Sequence, residues 1–481
     1  MRDFLARALD AAVDFGARYA DVRWVSSDNE SLTARGEVLE SVEHADSSGF
    51  GVRVLLDGAW GYASSAGMES NDTVRIARTA VDVARASSTG VSRHVELVDE
   101  PATRGVWATP VAVDPAAVPL EDKAAVLLAA TRIMQRVDKV RVARATMDFL
   151  RQHTVLISSE GTEIEQTIVH SGGGIEAIAV NGDEVQQRSY PGSFRGDLGA
   201  GGYELVEEMR LADHARQVAD EAVALLTAPD CPETTTTLVI DGNQAMLQVH
   251  ESVGHATELD RVLGMEASFA GTSFVGLGDM NRLQFGSEIV SINADATAPG
   301  GLGTFGYDDE GVAAQSNPIV SDGILVGFMS SRETAQAMGA SRSNGAMRAE
   351  GWENFPIIRM TNVNLLPGAG SLEDLLAEVD DGIYMATNKS WSIDDKRKNF
   401  QFACEVGWEI KHGRLGRMVK NPRYTGMTPT FWNSCDAVAG PEEWRMWGTA
   451  NCGKGQPGQT MRVGHGTAPA RFRNVVIGVD E

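Results

Sequence analysis

The chain has 481 residues, 43% of them hydrophobic and 22% charged, with a net charge of −24. That length exceeds what a single hydrophobic core usually organises, so two domains are expected. The acidic balance argues against a nucleic-acid partner and against binding to anionic membrane surfaces, both of which need clustered Lys and Arg.

No apolar run approaches the ~20 residues a bilayer-spanning helix requires. Residues 1–10 interleave charges with apolar side chains at helical spacing, which reads as an amphipathic helix rather than a signal peptide, so a cytoplasmic location is expected. That helix is predicted over residues 2–19. Residues 21–63 follow as a β-meander with turn signals at Ser27-Asp28-Asn29, Asp46-Ser47-Ser48-Gly49 and Asp57-Gly58. A helix over 70–86, a proline-containing connection, a helix over 120–137, long strands within 140–187 and a helix over 203–226 complete the first half. Residues 228–234 hold two prolines and no periodicity, which places a domain boundary between residues 1–228 and 235–481. No internal repeat is evident.

Beyond the boundary, the β-branched run Thr236-Thr237-Leu238-Val239-Ile240 leads through Asp241-Gly242-Asn243 into a helix, with Asn243 as the expected N-cap. The remainder is rich in glycine and short strand patterns. The expected class is α+β: an N-terminal α/β domain with a largely antiparallel sheet, and a mostly β, barrel-like C-terminal domain carrying the helix.

That helix contains His250-Glu251-Ser252-Val253-Gly254-His255. Two imidazoles can hold a transition metal, and the carboxylate beside the first can take a proton from water. In H-E-x-x-H the histidines lie four residues apart on one helix face; here the spacing is five, roughly 140° on a regular helix. A single π-type turn restores a common face, and Gly254 is expected to make that distortion cheap. A third donor is required. On residue chemistry alone Cys452, Cys435, Cys404, His412 and His465 are all open. The four cysteines are widely scattered, so a disulfide framework is not expected, and most read as buried small hydrophobes; Cys452 alone lies in a polar, glycine-rich stretch expected to be a loop.

Glu258 and Asp260 follow His255 closely and fit either an orienting partner for a ligand histidine or an exposed acidic turn. The run Asp308-Asp309-Glu310 fits a hard-cation site or, as the commoner case, a turn that is solvated or caps its own backbone. Gly301-Leu302-Gly303-Thr304-Phe305-Gly306 satisfies G-x-G-x-x-G, but no helix start follows it, so dinucleotide binding is rejected. A near-match to a phosphate loop at residues 448–455 has Gly455 where Ser or Thr must stand, and it is rejected too.

From His250 onward the run H-E-S-V-G-H-A-T-E-L-D resembles the metal helix of the TldD/PmbA metalloproteases, which carry H-E-x-x-x-H. Further matches follow at Gly306-Tyr307-Asp308-Asp309-Glu310-Gly311, at residues 322–327, at Arg359-Met360-Thr361-Asn362 and at Asn451-Cys452-Gly453-Lys454; earlier ones lie at residues 19–23 and 49–54. The resemblance spans nearly the whole chain and is strongest to the TldD side, which keeps the metal motif. It implies His250, His255 and Cys452 as ligands of one Zn²⁺ and Glu251 as general base. It also implies cleavage of unfolded or extended peptides inside a dimeric chamber, as a homodimer or with a TldE/PmbA-like paralogue. Arg348 and Arg359, in matched segments, fit a grip on peptide carbonyls or a carboxylate as well as ordinary salt bridges. Residues 387–394 are less glycine-rich than the resemblance implies, so substrate preference does not transfer. Two other functions stay open on sequence: a noncatalytic peptide-binding subunit, and metal-assisted modification of a peptide-derived metabolite.

Overall fold

A computed structural model describes residues 1–91 and 93–478. Helix α1 (Arg2–Asp14) buries Leu5, Ala8, Ala11 and Ala12 along one face. It ends earlier than residue 19 because Gly16, at φ +102°, turns the chain directly into strand β1 (Tyr19–Arg35). Strands β2 (Val38–Leu56) and β3 (Ala59–Ser65) complete a meander, but the polar clusters at 27–29 and 46–49 do not turn. They lie in a long ribbon in which Asp28 stands between Asp46 of β2 and Arg151 of the strand on its other side. A ladder bonded on both sides satisfies the backbone and overrides the weak strand preference of Ser, Asp and Asn. The turn falls instead at Gly36 (φ +59°).

Next come α2 (Ser70–Ser88), β4 (Arg104–Ala108), α3 (Leu120–Gln135), β5 (Val140–Ser158), β6 (Glu163–Asn181), β7 (Glu184–Tyr190) and β8 (Asp197–Ala200). The helix expected over 203–226 is two, α4 (Glu204–Met209) and α5 (Leu211–Leu225), broken at Arg210, whose φ of +49° no helix interior accepts. The strands form one sheet in the order β3-β2-β1-β5-β6-β4, with β7 and β8 also on β6. Every pairing is antiparallel except β4 with β6. Helices α1 and α2 bury one end of a sheet face through Val22, Phe50, Val52 and Val155. Helices α3 and α5 bury the other end of that face through Leu32, Ala145 and Ile175. The order helix, long strand, long strand, short strand thus occurs twice, closed by α2 in the first copy and, after β8 and α4, by α5 in the second; the copies meet at the antiparallel β1–β5 pair, a structural repeat that the residues themselves do not advertise.

In the second half β9 (Thr234–Ile240) runs into α6 (Gly242–Val249). Short strands β10 (Ile292–Asp295), β11 (Ser316–Ser321) and β12 (Ile324–Leu325) precede a two-residue ladder of β13 (Met347–Arg348) with β14 (Ile357–Ile358). Then come β15 (Val363–Leu365), β16 (Asp381–Ile393), β17 (Asn399–Lys411), β18 (Arg414–Val419), β19 (Arg423–Met427), β20 (Cys435–Val438), β21 (Arg445–Lys454), β22 (Gln459–Thr467) and β23 (Ala470–Ile477). Strand β9 pairs with β16, β16 with β17, β17 with β19, β19 with β23, and β23 with β9, so five strands close into a barrel. The α+β class with a barrel-like second half therefore holds.

The helix-free sheet face meets the second half through buried charge. Arg53 pairs with Asp21 at 2.6 Å and with Glu310 at 3.2 Å, and Arg23 pairs with Asp309 at 2.7 Å. Of the readings open for the acidic run at 308–310, the one present is the backbone cap, and the run is engaged within the protein rather than solvated. Asp308 caps its own loop by accepting from the Glu310 and Val312 amides, while its two neighbours bind the sheet. The glycines of the 301–306 run serve close packing: a Cβ on Gly303 would lie 2.1 Å from the Thr361 backbone.

Candidate metal centre

Helix α6 is capped by Asp241, not Asn243: the Asp241 carboxylate accepts from the Gln244 amide at 2.7 Å. Three of the buried polar residues along it and its continuation, Gln244, Gln248 and Ser252, are engaged by one another and by the barrel. Gln244 donates to the Tyr424 hydroxyl at 2.7 Å, which donates to Gln248 Oε1 at 3.0 Å, and Trp432 Nε1 donates to Ser252 Oγ at 2.9 Å. The helix is anchored by this network as well as by apolar contact.

Residues His250–Gly254 form a π-helical turn, followed by a 3₁₀ turn at His255–Thr257. The widening that the five-residue spacing demands is present. Gly254 plays a different part from the one expected. Its φ of −52° is ordinary for any residue; a Cβ there would lie 2.2 Å from Met360 Sδ, so the position is small to admit Met360.

One atom each from His250, His255 and Cys452 lie within 4.8 Å of one another, all three residues buried, and Cys452 Sγ is 3.4 Å from His255 Nε2. Cys452 sits in strand β21, not in a loop. Arg359, fully buried, donates to the Cys452 carbonyl and, at 3.2 Å, to the Gln459 carbonyl. It braces the β21–β22 hairpin. Arg348 donates to the carbonyls of Met360 at 2.9 Å and Leu302 at 3.4 Å.

The far side of each imidazole is also held. His465 Nδ1 lies 2.9 Å from the Val363 carbonyl, which can only accept, so that nitrogen carries the proton. Burial keeps the His465 ring well below the ordinary imidazole pKa and hence neutral, so its Nε2 is an acceptor. The 2.8 Å contact from His250 Nδ1 to His465 Nε2 is then donated by His250, so that in the neutral ring Nε2 carries the free lone pair. His255 Nδ1 likewise faces the Glu258 carboxylate at 2.9 Å, leaving His255 Nε2 toward the sulfur. His465, one of the open third donors on residue chemistry, instead stands behind His250, and nothing in its spacing signals that. Glu258 is fully buried, not in an exposed turn, and Asp260 is 8% exposed. Lys454 lies 3.4 Å from Glu258 and 2.7 Å from Asp260.

Charge tunes the three donors. Burial opposes the Cys452 thiolate, but His255, His250 and Arg359 outweigh it and hold the thiol well below its ordinary range. Burial also opposes charging His250, and the adjacent sulfur wins, raising that ring. At His255 burial dominates and the ring stays well below the usual value. Glu251 is 5% exposed, and its Oε2 accepts from Arg397 Nη1 at 2.6 Å. Arg397 lies in the turn joining β16 to β17 at φ +63°, a residue that no motif singles out.

The PmbA/TldA metallopeptidase C-terminal domain model matches residues 216–478, with domain 1 of the same family at 20–84 and its central domain at 113–226. The chain belongs to the PmbA/TldD metallopeptidase family. It is 29% identical over 448 residues to a metalloprotease of Methanocaldococcus jannaschii, covering 93% of this chain and 94% of that one. It is 25% identical over 234 residues to a zinc metalloprotease TldD homolog of Saccharolobus solfataricus, 48% of each chain. The crystal structure of TldE from Thermococcus kodakarensis shares the fold, with a TM-score of 0.71 at 14% identity over 99% of this chain and 100% of that one. Among the described residues no helix is long and apolar enough to cross a membrane.

Proposed function

We propose that this metallopeptidase is a cytoplasmic zinc enzyme that cleaves unfolded or extended peptides, working in a dimeric enclosure formed with a second copy or with a TldE/PmbA-like paralogue. The observation that carries the reading is the convergence of one ring nitrogen each of His250 and His255 and the Cys452 sulfur within 4.8 Å, with the Nδ1 atoms of the two rings engaged by His465 and Glu258. Two neutral nitrogens and one thiolate suit zinc and leave a fourth position open. Bound there, zinc would supply a Lewis acid for the peptide carbonyl and lower the pKa of water.

The chain's own residues do the rest. Glu251 accepts the proton of the attacking water and returns it to the departing amine. Arg397 fixes the direction of that carboxylate. His465 and Glu258 keep the ligand rings in the tautomers that present Nε2. Extended peptide binding to a strand edge would give affinity through backbone hydrogen bonds with little sequence selectivity.

The test is Glu251→Gln. It is expected to keep one zinc per chain by elemental analysis and to lose cleavage by about 10²- to 10⁴-fold, whereas Cys452→Ala is expected to lose the metal. Undiminished cleavage by Glu251→Gln removes the proposed base. Mass by light scattering, alone and with a TldE-like paralogue, identifies the dimer.

A further inference from the structure

A cavity of about 360 Å³ separates the helix-free face of the N-terminal sheet from the β21–β22 hairpin. Its walls include His170 of β6, Arg348 of β13, and Ala450, Thr460, Met461 and Arg462 of the hairpin. Met461 is the cross-strand partner of Cys452. Ala450 precedes Cys452 by two residues, about 7 Å of extended chain. The cavity therefore adjoins the metal centre on the sheet side.

Its donors are underused. His170 is 2% exposed, and neither ring nitrogen has a hydrogen-bond partner. Arg462 gives Nη2 to Asp148 at 2.7 Å and leaves Nη1 buried without a partner. Arg348 is 7% exposed and, among the described residues, makes no ion pair; carbonyl oxygens are its only hydrogen-bond acceptors. Glu350 and Glu353 also line the cavity, but at its exposed rim, and Glu350 accepts from the Thr460 amide at 2.8 Å. Buried polar atoms in folded proteins are nearly always paired, so an unpartnered imidazole beside two guanidiniums marks a place built for an anion. Planar guanidiniums match the two oxygens of a carboxylate.

We propose that this cavity receives a carboxylate of the peptide substrate, held by Arg348, Arg462 and an N–H of His170. The inference rests on the peptidase reading and specifies which peptides that site prefers. An extended peptide advances about 3.3–3.6 Å per residue, so a carboxylate seated here places a carbonyl about two residues upstream at the metal. The carboxylate is either the chain terminus or an acidic side chain.

The experiment uses full-length, zinc-loaded Glu251→Gln protein and fluorescent peptides read by anisotropy. One peptide is compared as free acid and as C-terminal amide, and the amide is compared with Glu or Gln two residues downstream of the expected cleavage point. The expected result is at least tenfold weaker binding of the amide carrying Gln. Recovery with Glu assigns the side chain; no recovery assigns the terminus. The discrimination is expected to vanish in His170→Phe and Arg462→Met. Equal affinity for all the peptides overturns the proposal, and because that comparison uses unaltered cavity residues, misfolding cannot mimic it. Cleavage by the wild-type chain without carboxylate discrimination defeats the cavity alone. Discrimination without any wild-type cleavage defeats the peptidase reading and leaves the cavity.

Discussion

Arg397 Nη1 lies 2.6 Å from Glu251 Oε2, so a turn between two barrel strands closes onto the carboxylate beside His250. Both side chains are mostly buried, 17% and 7% exposed. A buried carboxylate is therefore held by a cation 146 residues away in sequence.

Removing that cation alone strands the carboxylate. Arg397→Met is expected to lower unfolding free energy by about 3 kcal/mol, the usual penalty for breaking one side of a buried pair. The double change Glu251→Gln with Arg397→Met is expected to lose clearly less than the sum of the two single changes, because it leaves no uncompensated charge. Urea unfolding of the four proteins checks this, and additive losses would show that the pair is not coupled.

His465→Phe removes the acceptor that orients His250. Zinc affinity, measured by chelator competition, is expected to fall about 10- to 100-fold, the cost typical of losing such a support. Glu258→Leu should act similarly through His255. An unchanged affinity would mean that the rings hold their orientation unaided.

Gly254→Ala brings a methyl to 2.2 Å from Met360 Sδ. Overpacking of this kind costs about 1–3 kcal/mol. The companion change Met360→Ala is expected to recover part of that loss, by thermal unfolding, since it clears the space that the new methyl needs. If Gly254→Ala alone is neutral, Met360 is not what keeps the position small.

Asp197 predicts a pH dependence. Burial raises its carboxyl from 3.8 to about 6, against the pull of the Gly448 and Leu198 amides, both of which donate to Oδ1. The folded state therefore holds a proton that the unfolded state releases at lower pH, and stability falls as pH rises from about 4 to 6. Asp197→Asn keeps the acceptor oxygen and should flatten that part of the stability profile. The gain at pH 7 is up to roughly 3 kcal/mol, from about two pKa units at about 1.4 kcal/mol each. An unaltered slope in denaturation across pH 4–6 would assign the dependence elsewhere.

The legible parts of this protein are those encoded locally. A five-residue gap between His250 and His255 is incompatible with a regular helix, and a π turn is what the chain forms. The barrel-like second half was readable from glycine and short β-branched runs. What escaped depends on distant partners. The ribbon through Asp28 and Asp46 looked like turns because polar residues break strands unless neighbours bond them on both sides. Arg397 and His465 reach the centre only after barrel closure, and no spacing rule links residues 146 and 215 positions from their contacts. Residue chemistry alone left Cys452 among five candidates; only the family resemblance preferred it.

The ion pairs of Arg23 and Arg53 with Asp309 and Glu310 carry a consequence for how the chain can be cut or recombined. Severing it near residue 230 would leave Glu310 facing water without its guanidinium, and Arg53 with half of its counter-charge gone. The half that bears His250, His255 and Cys452 is thus docked on the sheet through charge that a cut would expose.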